Sequence, residues 1–115
     1  MTDKELLELA AKAADEKIDW DNIRDYGSFT AYRLRFENEF WNPLHDDGDA
    51  LRLAVNLRIK FRYNAALGQA LAWIGGKDDC EAVSNIEDSN GDECAATRRA
   101  IVRAAAELGK IRSGT

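Results

Sequence analysis

Apolar and polar positions alternate regularly in several stretches of the chain, at helical spacing near both ends and at strand spacing between them. Thr2-Asp3-Lys4-Glu5 has the form of a capping box, in which the threonine oxygen accepts from the third helical N–H and the glutamate reaches back to the threonine N–H. Leu6, Leu9, Ala10, Ala13 and Ala14 follow on one stripe while Lys4, Glu8 and Lys12 face water, so a first helix is predicted to end near residue 15. At the far end Asp92 is placed to cap a helix whose stripe is Cys94, Thr97, Ile101, Ala104 and Leu108. Arg98, Arg99 and Arg103 lie off that stripe, Gly109 stands as a stop, and the tail 110–115 has little to pack except Ile111.

Between these helices the period changes to two. Tyr32, Leu34 and Phe36 alternate with Arg33, Arg35 and Glu37, which predicts a half-buried strand over 29–36. Leu57-Arg58-Ile59-Lys60-Phe61-Arg62-Tyr63 is the cleanest such pattern, with four apolar residues on one face and three cations on the other. A second strand over Gln69 to Ile74 is ended by Gly75-Gly76, and a short edge strand over 80–86 uses Cys80, Ala82 and Ile86. Asp15 to Asp25 reads as a packed acidic loop anchored by Ile18, Trp20 and Ile23. In residues 41–55, Pro43 stops the extended chain and Asp46 or Asp47 caps a helix whose acidic first turn suits the positive end of the dipole.

The expected architecture is α+β: an antiparallel sheet of three to four strands sandwiched with the amino- and carboxy-terminal helices, and the short helix at 47–55 beside it. A chain of 115 residues is one domain, 1–115, and can bury roughly two-thirds of its unfolded surface without metal or disulfide. Composition, 45% hydrophobic and 32% charged, is that of a soluble globular protein. No window approaches the roughly 18 to 20 apolar residues of a membrane helix, and the amino terminus lacks a basic stretch followed by an apolar one, so a cytoplasmic protein is expected. In that compartment Cys80 and Cys94 are read as reduced thiols and small apolar fillers, with a disulfide between them as the alternative. The net charge of −5 disfavours nonspecific nucleic-acid binding.

Trp41-Asn42-Pro43-Leu44 with Asp46-Asp47-Gly48-Asp49-Ala50-Leu51-Arg52-Leu53-Ala54-Val55, together with Ala95-Ala96-Thr97-Arg98-Arg99-Ala100-Ile101-Val102-Arg103-Ala104-Ala105, resembles the phage ABA sandwich domain family. Leu6-Leu7-Glu8-Leu9-Ala10-Ala11-Lys12-Ala13-Ala14 also fits, so the likeness covers about half of the chain in three blocks. The resemblance implies an α/β sandwich of phage or prophage origin in a bacterial host cell. It implies no catalytic activity and carries over no functional residue. The stretch 15–40 is longer and more aromatic than the family pattern, and 58–85 does not follow it.

No catalytic or metal constellation emerges. Asp88-Ser89-Asn90-Gly91-Asp92 spaces oxygens like a calcium loop, but its glycine comes two residues too early and Arg99 stands at the twelfth position, where a bidentate glutamate belongs. That segment is a turn plus cap, and so is Asp46-Asp47-Gly48-Asp49. His45, the only histidine, has no nucleophile or second imidazole placed beside it. No cofactor is implied.

The candidate interaction residues are Arg58, Lys60, Arg62, Asp78, Asp79, Glu87, Asp88 and Trp20. If Arg33 and Arg35 lay on a strand next to Arg58, Lys60 and Arg62, five cations would share one sheet face. Two readings of that face stay open. Its heads pair with Glu37, Glu39 or the acidic loop, or it is a surface for an anion or a partner. Trp41 and Trp73 are expected in the core, and Trp20 as a core or contact residue. The expected function is noncatalytic binding of a host or phage protein. Two alternatives are an acidic anti-defence inhibitor, using Asp78, Asp79, Glu81, Glu87, Asp88, Asp92 and Glu93 to fill a host nucleic-acid groove, and nucleic-acid binding through the basic face.

Overall fold

The capping box forms as its sequence demands. In the computed structural model, which describes residues 1–75 and 80–112, Thr2 Oγ1 accepts from the Glu5 N–H at 3.1 Å and the Glu5 carboxylate accepts from the Thr2 N–H at 3.3 Å. They open α1 (Asp3–Ala14), which ends where Asp15 turns left-handed at φ 56°. The carboxy-terminal helix is longer than its pattern predicts. It is α3 (Glu93–Arg112) and runs straight through Gly109, which is not a stop. A Cβ at Gly109 would sit 2.1 Å from the Leu9 carbonyl oxygen, so this glycine lets α1 and α3 cross in near-backbone contact. Beyond it Arg112 donates to the Ala13 carbonyl at 2.6 Å, satisfying an acceptor that the end of α1 leaves open.

The α+β class holds, with two three-stranded antiparallel sheets in place of one. The first comprises β1 (Ile18–Asp25), β2 (Thr30–Leu34) and β3 (Phe40–Trp41), in that order. The loop expected over 15–25 is therefore largely a strand. Its pairing slips between Asp19, opposite Arg33, and Ile23, opposite Tyr32, and this irregularity erases the period-two signal. β2 stops at Leu34, and Phe36 lies in the following turn, 81% exposed, rather than on the face of Tyr32 and Leu34.

The second sheet comprises β4 (Lys60–Asn64), β5 (Gln69–Ile74) and β6 (Cys80–Asn85), again in sequence order. Here the clean alternation of 57–63 misleads. Leu57 closes α2 (Asp47–Leu57), Arg58 is its left-handed cap at φ 57°, and only the second half of the pattern is strand. Phe61 pairs with Ala72, which pairs with Ala82, while Lys60 pairs with Trp73 and Trp73 with Glu81. Ala70, Ala72, Ile74 and Ser84 are buried toward the helices. Strand alternation sends Lys60, Arg62, Leu71, Trp73 and Val83 to the opposite, outer face.

A single core joins the layers. Leu6, Leu7 and Ala10 of α1, Leu53 and Leu57 of α2, and Ile101, Ala105 and Leu108 of α3 meet Ile18, Trp41 and Ile59 there. Leu7 and Leu108 are each 1% exposed, and full burial of such a side chain contributes about 2 kcal/mol. Ala96, Ala100 and Ala104 let α3 lie close to its neighbours.

Candidate interaction surface

Residues 41–55 form a corner whose polar atoms are spent on the fold. Asn42, 5% exposed, donates from Nδ2 to the Thr30 carbonyl at 2.7 Å and accepts from the Leu44 N–H at 2.9 Å. Its own N–H donates to Asp49 Oδ2 at 2.9 Å, and the other oxygen of Asp49 accepts from Arg52 at 2.7 Å. That hydrogen bond holds the Arg52 guanidinium still more firmly protonated than usual. Asp46 caps α2 by accepting from the Asp49 N–H at 2.8 Å, and Asp47 pairs with Arg98 at 2.6 Å. Each of the three aspartates thus has a structural task. Among the described residues no group of three or more His, Cys, Asp or Glu is arranged to hold a metal ion.

His45 stacks on Phe29, with ring centroids 4.6 Å apart and planes within 5°. Desolvation, reinforced by the nearby Arg98 cation, pushes its pKa below the ordinary histidine value, so a neutral ring is favoured.

The predicted interaction residues separate. Lys60 and Arg62 project together from the outer face of the second sheet, and Arg58 sits exposed at the end of α2. Arg33 and Arg35 belong to the first sheet and its following turn, so the five-cation face does not form. Asp78 and Asp79 lie outside the described residues. Glu87 and Asp88 are exposed on a short 3-10 turn, Ile86–Ser89. Trp20 is half-buried on β1, 4.9 Å from the Tyr32 ring and packed against the core. Trp73, expected inside, lies on the outer sheet face, because the small residues Ala70 and Ala72 take the inward positions of β5.

Among the described residues the side chains of Arg58, Lys60 and Arg62 make no hydrogen bond or ion pair, so they do not neutralise Glu37, Glu39 or the described part of the acidic connection. The arginines of α3 behave differently. Arg98 and Arg99 pair with Asp47 and Asp3, and Arg103 donates to the Val83 carbonyl.

An apolar groove of about 360 Å³ adjoins this region, and sequence patterning did not single it out. Leu51 of α2, Phe61 and Tyr63 of β4, and Cys94, Thr97 and Ile101 of α3 line it. Cys94, expected as a filler of the apolar stripe, is exposed at its edge. Leu51 is 55% exposed, Val55 71% and Phe61 41%. A signal was present in α2. Ala50, Leu53, Ala54 and Leu57 form the core stripe, while Leu51 and Val55, four residues apart, form a second apolar stripe that the core does not use. Desolvation pushes the Tyr63 hydroxyl pKa upward, and Glu93 adds to the effect.

No protein-family model, curated protein or solved structure matches the chain at a significant level. Among the described residues no helix is long and apolar enough to cross a membrane.

Proposed function

We propose that this chain is a small accessory protein of phage or prophage origin that acts by binding another protein, without catalysis, inside the bacterial cell. The resemblance of residues 41–55 and 95–105 to the phage ABA sandwich family supports the origin. One observation carries the binding mode: the exposed side chains of Leu51 and Phe61 line an apolar groove, while the side chains of neighbouring Lys60 and Arg62 have no protein partner among the described residues. Scattered exposed apolar residues are normal, but a cluster rimmed by charge marks a contact surface.

The test is paired affinity capture with the wild-type chain and a Phe61→Glu variant of equal stability. A protein retained by the first and lost by the second supports the reading. Turnover of a nucleotide, nucleic acid or ester that vanishes with one polar substitution would replace it with an enzyme. A second reading, nucleic-acid binding by the outer sheet face, draws support from Lys60 standing opposite the half-exposed Trp73, a cation beside a stacking platform. It requires oligonucleotide affinity that falls steeply with salt and fails in K60E/R62E.

A further inference from the structure

We infer that the partner binds by strand addition: an extended peptide with alternating apolar and acidic side chains pairs with the free edge of β4. The inference rests on the protein-binding reading and specifies how that surface is used.

β4 ends the strand order of the second sheet, so its outward row of N–H and C=O groups has no strand partner among the described residues. Its two faces differ in chemistry. Phe61 and Tyr63 line the groove between β4, α2 and α3, whereas Lys60 and Arg62 point to the other side of the sheet. A strand laid beside β4 repeats this alternation, because successive side chains point to opposite faces. Alternate residues of the peptide enter the groove, where apolar side chains fit against Leu51, Phe61 and Ile101. The residues between them stand beside Lys60 and Arg62, where carboxylates are favoured across the strand pair. Main-chain hydrogen bonds supply affinity and the two side-chain rows supply specificity.

Cations on an edge strand can also serve to repel unwanted pairing. Two features favour a receptor edge over a guarded one. The charge is confined to one face, and the other carries the exposed Phe61 beside an open apolar groove. A second copy of the chain is a poor occupant. Symmetric β4-to-β4 pairing brings Lys60 and Arg62 of both copies onto the same face at close range, and like charges across a strand pair repel.

The experiment uses the full chain and a synthetic peptide of about eight residues, a typical strand length, alternating leucine and glutamate. Controls are the same peptide with lysine for glutamate, and one with a central proline, which cannot complete the ladder. Amide hydrogen exchange and chemical shifts are followed across the protein. The expected result is saturable binding with slowed exchange at alternate amides of residues 60–64, about tenfold weaker binding by K60E/R62E, and loss of binding with either control. Phe61→Ser should abolish binding while the exchange of α3 core amides stays unchanged, which separates a lost site from a lost fold. Binding with shifts confined to α2 and α3 and no protection in β4 overturns strand addition but leaves protein binding in place. Equal binding of the lysine peptide, or β4 protection that grows with protein concentration and no peptide, overturns the proposed occupant. No binding by any peptide, with a captured partner indifferent to K60E/R62E, overturns the inference.

Discussion

The corner at 41–55 and the free edge of β4 draw on the same helix and treat polar groups in opposite ways. At the corner, Asp46, Asp47 and Asp49 each have a named partner, and the Asn42 amide both donates and accepts. At the edge, Lys60 and Arg62 have none among the described residues and Phe61 is exposed. α2 contributes Asp49, Ala50 and Leu53 to the first and Leu51 and Val55 to the second. The corner therefore spends its polar groups on the fold, whereas the edge leaves charged and apolar side chains of the same region available.

The sharpest way to break this contrast is Asn42→Ala. It leaves the buried Leu44 N–H and the part-buried Thr30 carbonyl without their partner, and a buried orphan costs about 1 to 3 kcal/mol. A loss of about 3 kcal/mol is expected, read as a lower urea midpoint at unchanged slope. A loss below about 1 kcal/mol would show that the corner is not a structural device.

Next in size is Asp49→Ala, which removes the acceptor of the Asn42 N–H and the partner of Arg52. Arg52 is largely exposed and can return to water, so the buried N–H dominates and about 2 kcal/mol is expected. If Arg52→Ala costs as much as Asp49→Ala, the ion pair and not the amide contact holds the corner.

Ser84 tests the inner face of the second sheet. It is fully buried on β6, and its hydroxyl has no hydrogen-bond partner among the described residues. Ser84→Ala removes an unsatisfied polar group without opening much space, so a gain of about 1 kcal/mol is expected in thermal or urea unfolding. A loss of similar size would mean that the hydroxyl is satisfied.

Where local chemistry decides the outcome, the sequence was legible. The Thr2 capping box, the Asp46 cap and strand β5 follow from side chains acting on nearby backbone, and all three stand where expected. Tertiary contacts decided the rest. The alternation over 57–63 could not reveal that Leu57 closes a helix, because a helix end and a strand start share its apolar residues. Gly109 has the look of a stop, and only the approach of the Leu9 carbonyl explains its place inside α3. β1 stayed hidden because its irregular pairing breaks the period. As for the surface, Lys60 and Arg62 were visible as one face of an alternating run. Their separation from Arg33 and Arg35 depends on the division into two sheets, which no local pattern encodes.

At the edge, mutation should uncouple binding from stability. Phe61→Ser removes a side chain that is 41% exposed on an edge strand, so the stability loss should stay at about 1 kcal/mol, far short of unfolding the protein. Capture of the partner should be lost. A variant that unfolds at much lower urea would move Phe61 from the surface to the core and remove the contrast on which the binding surface rests.

The smallest effect probes an electrostatic flaw beside the corner. Glu16 is pushed above its ordinary pKa near 4.5, first by desolvation and then by the carboxylates of Glu37, Asp15 and Asp49. Its folded pKa exceeds the unfolded one, so its favourable contribution is complete below about pH 4.5 and is lost as pH rises through the folded value. Glu16→Gln should therefore be more stable than the parent at pH 7 and indistinguishable from it near pH 4. The side chain is only partly desolvated and screening is strong, so the gain at pH 7 is on the order of 0.3 kcal/mol. Paired urea titrations at the two pH values read the difference directly. A gain that persists unchanged at pH 4 would assign the effect to packing, and the acidic margin around Asp49 would then carry no strain of its own.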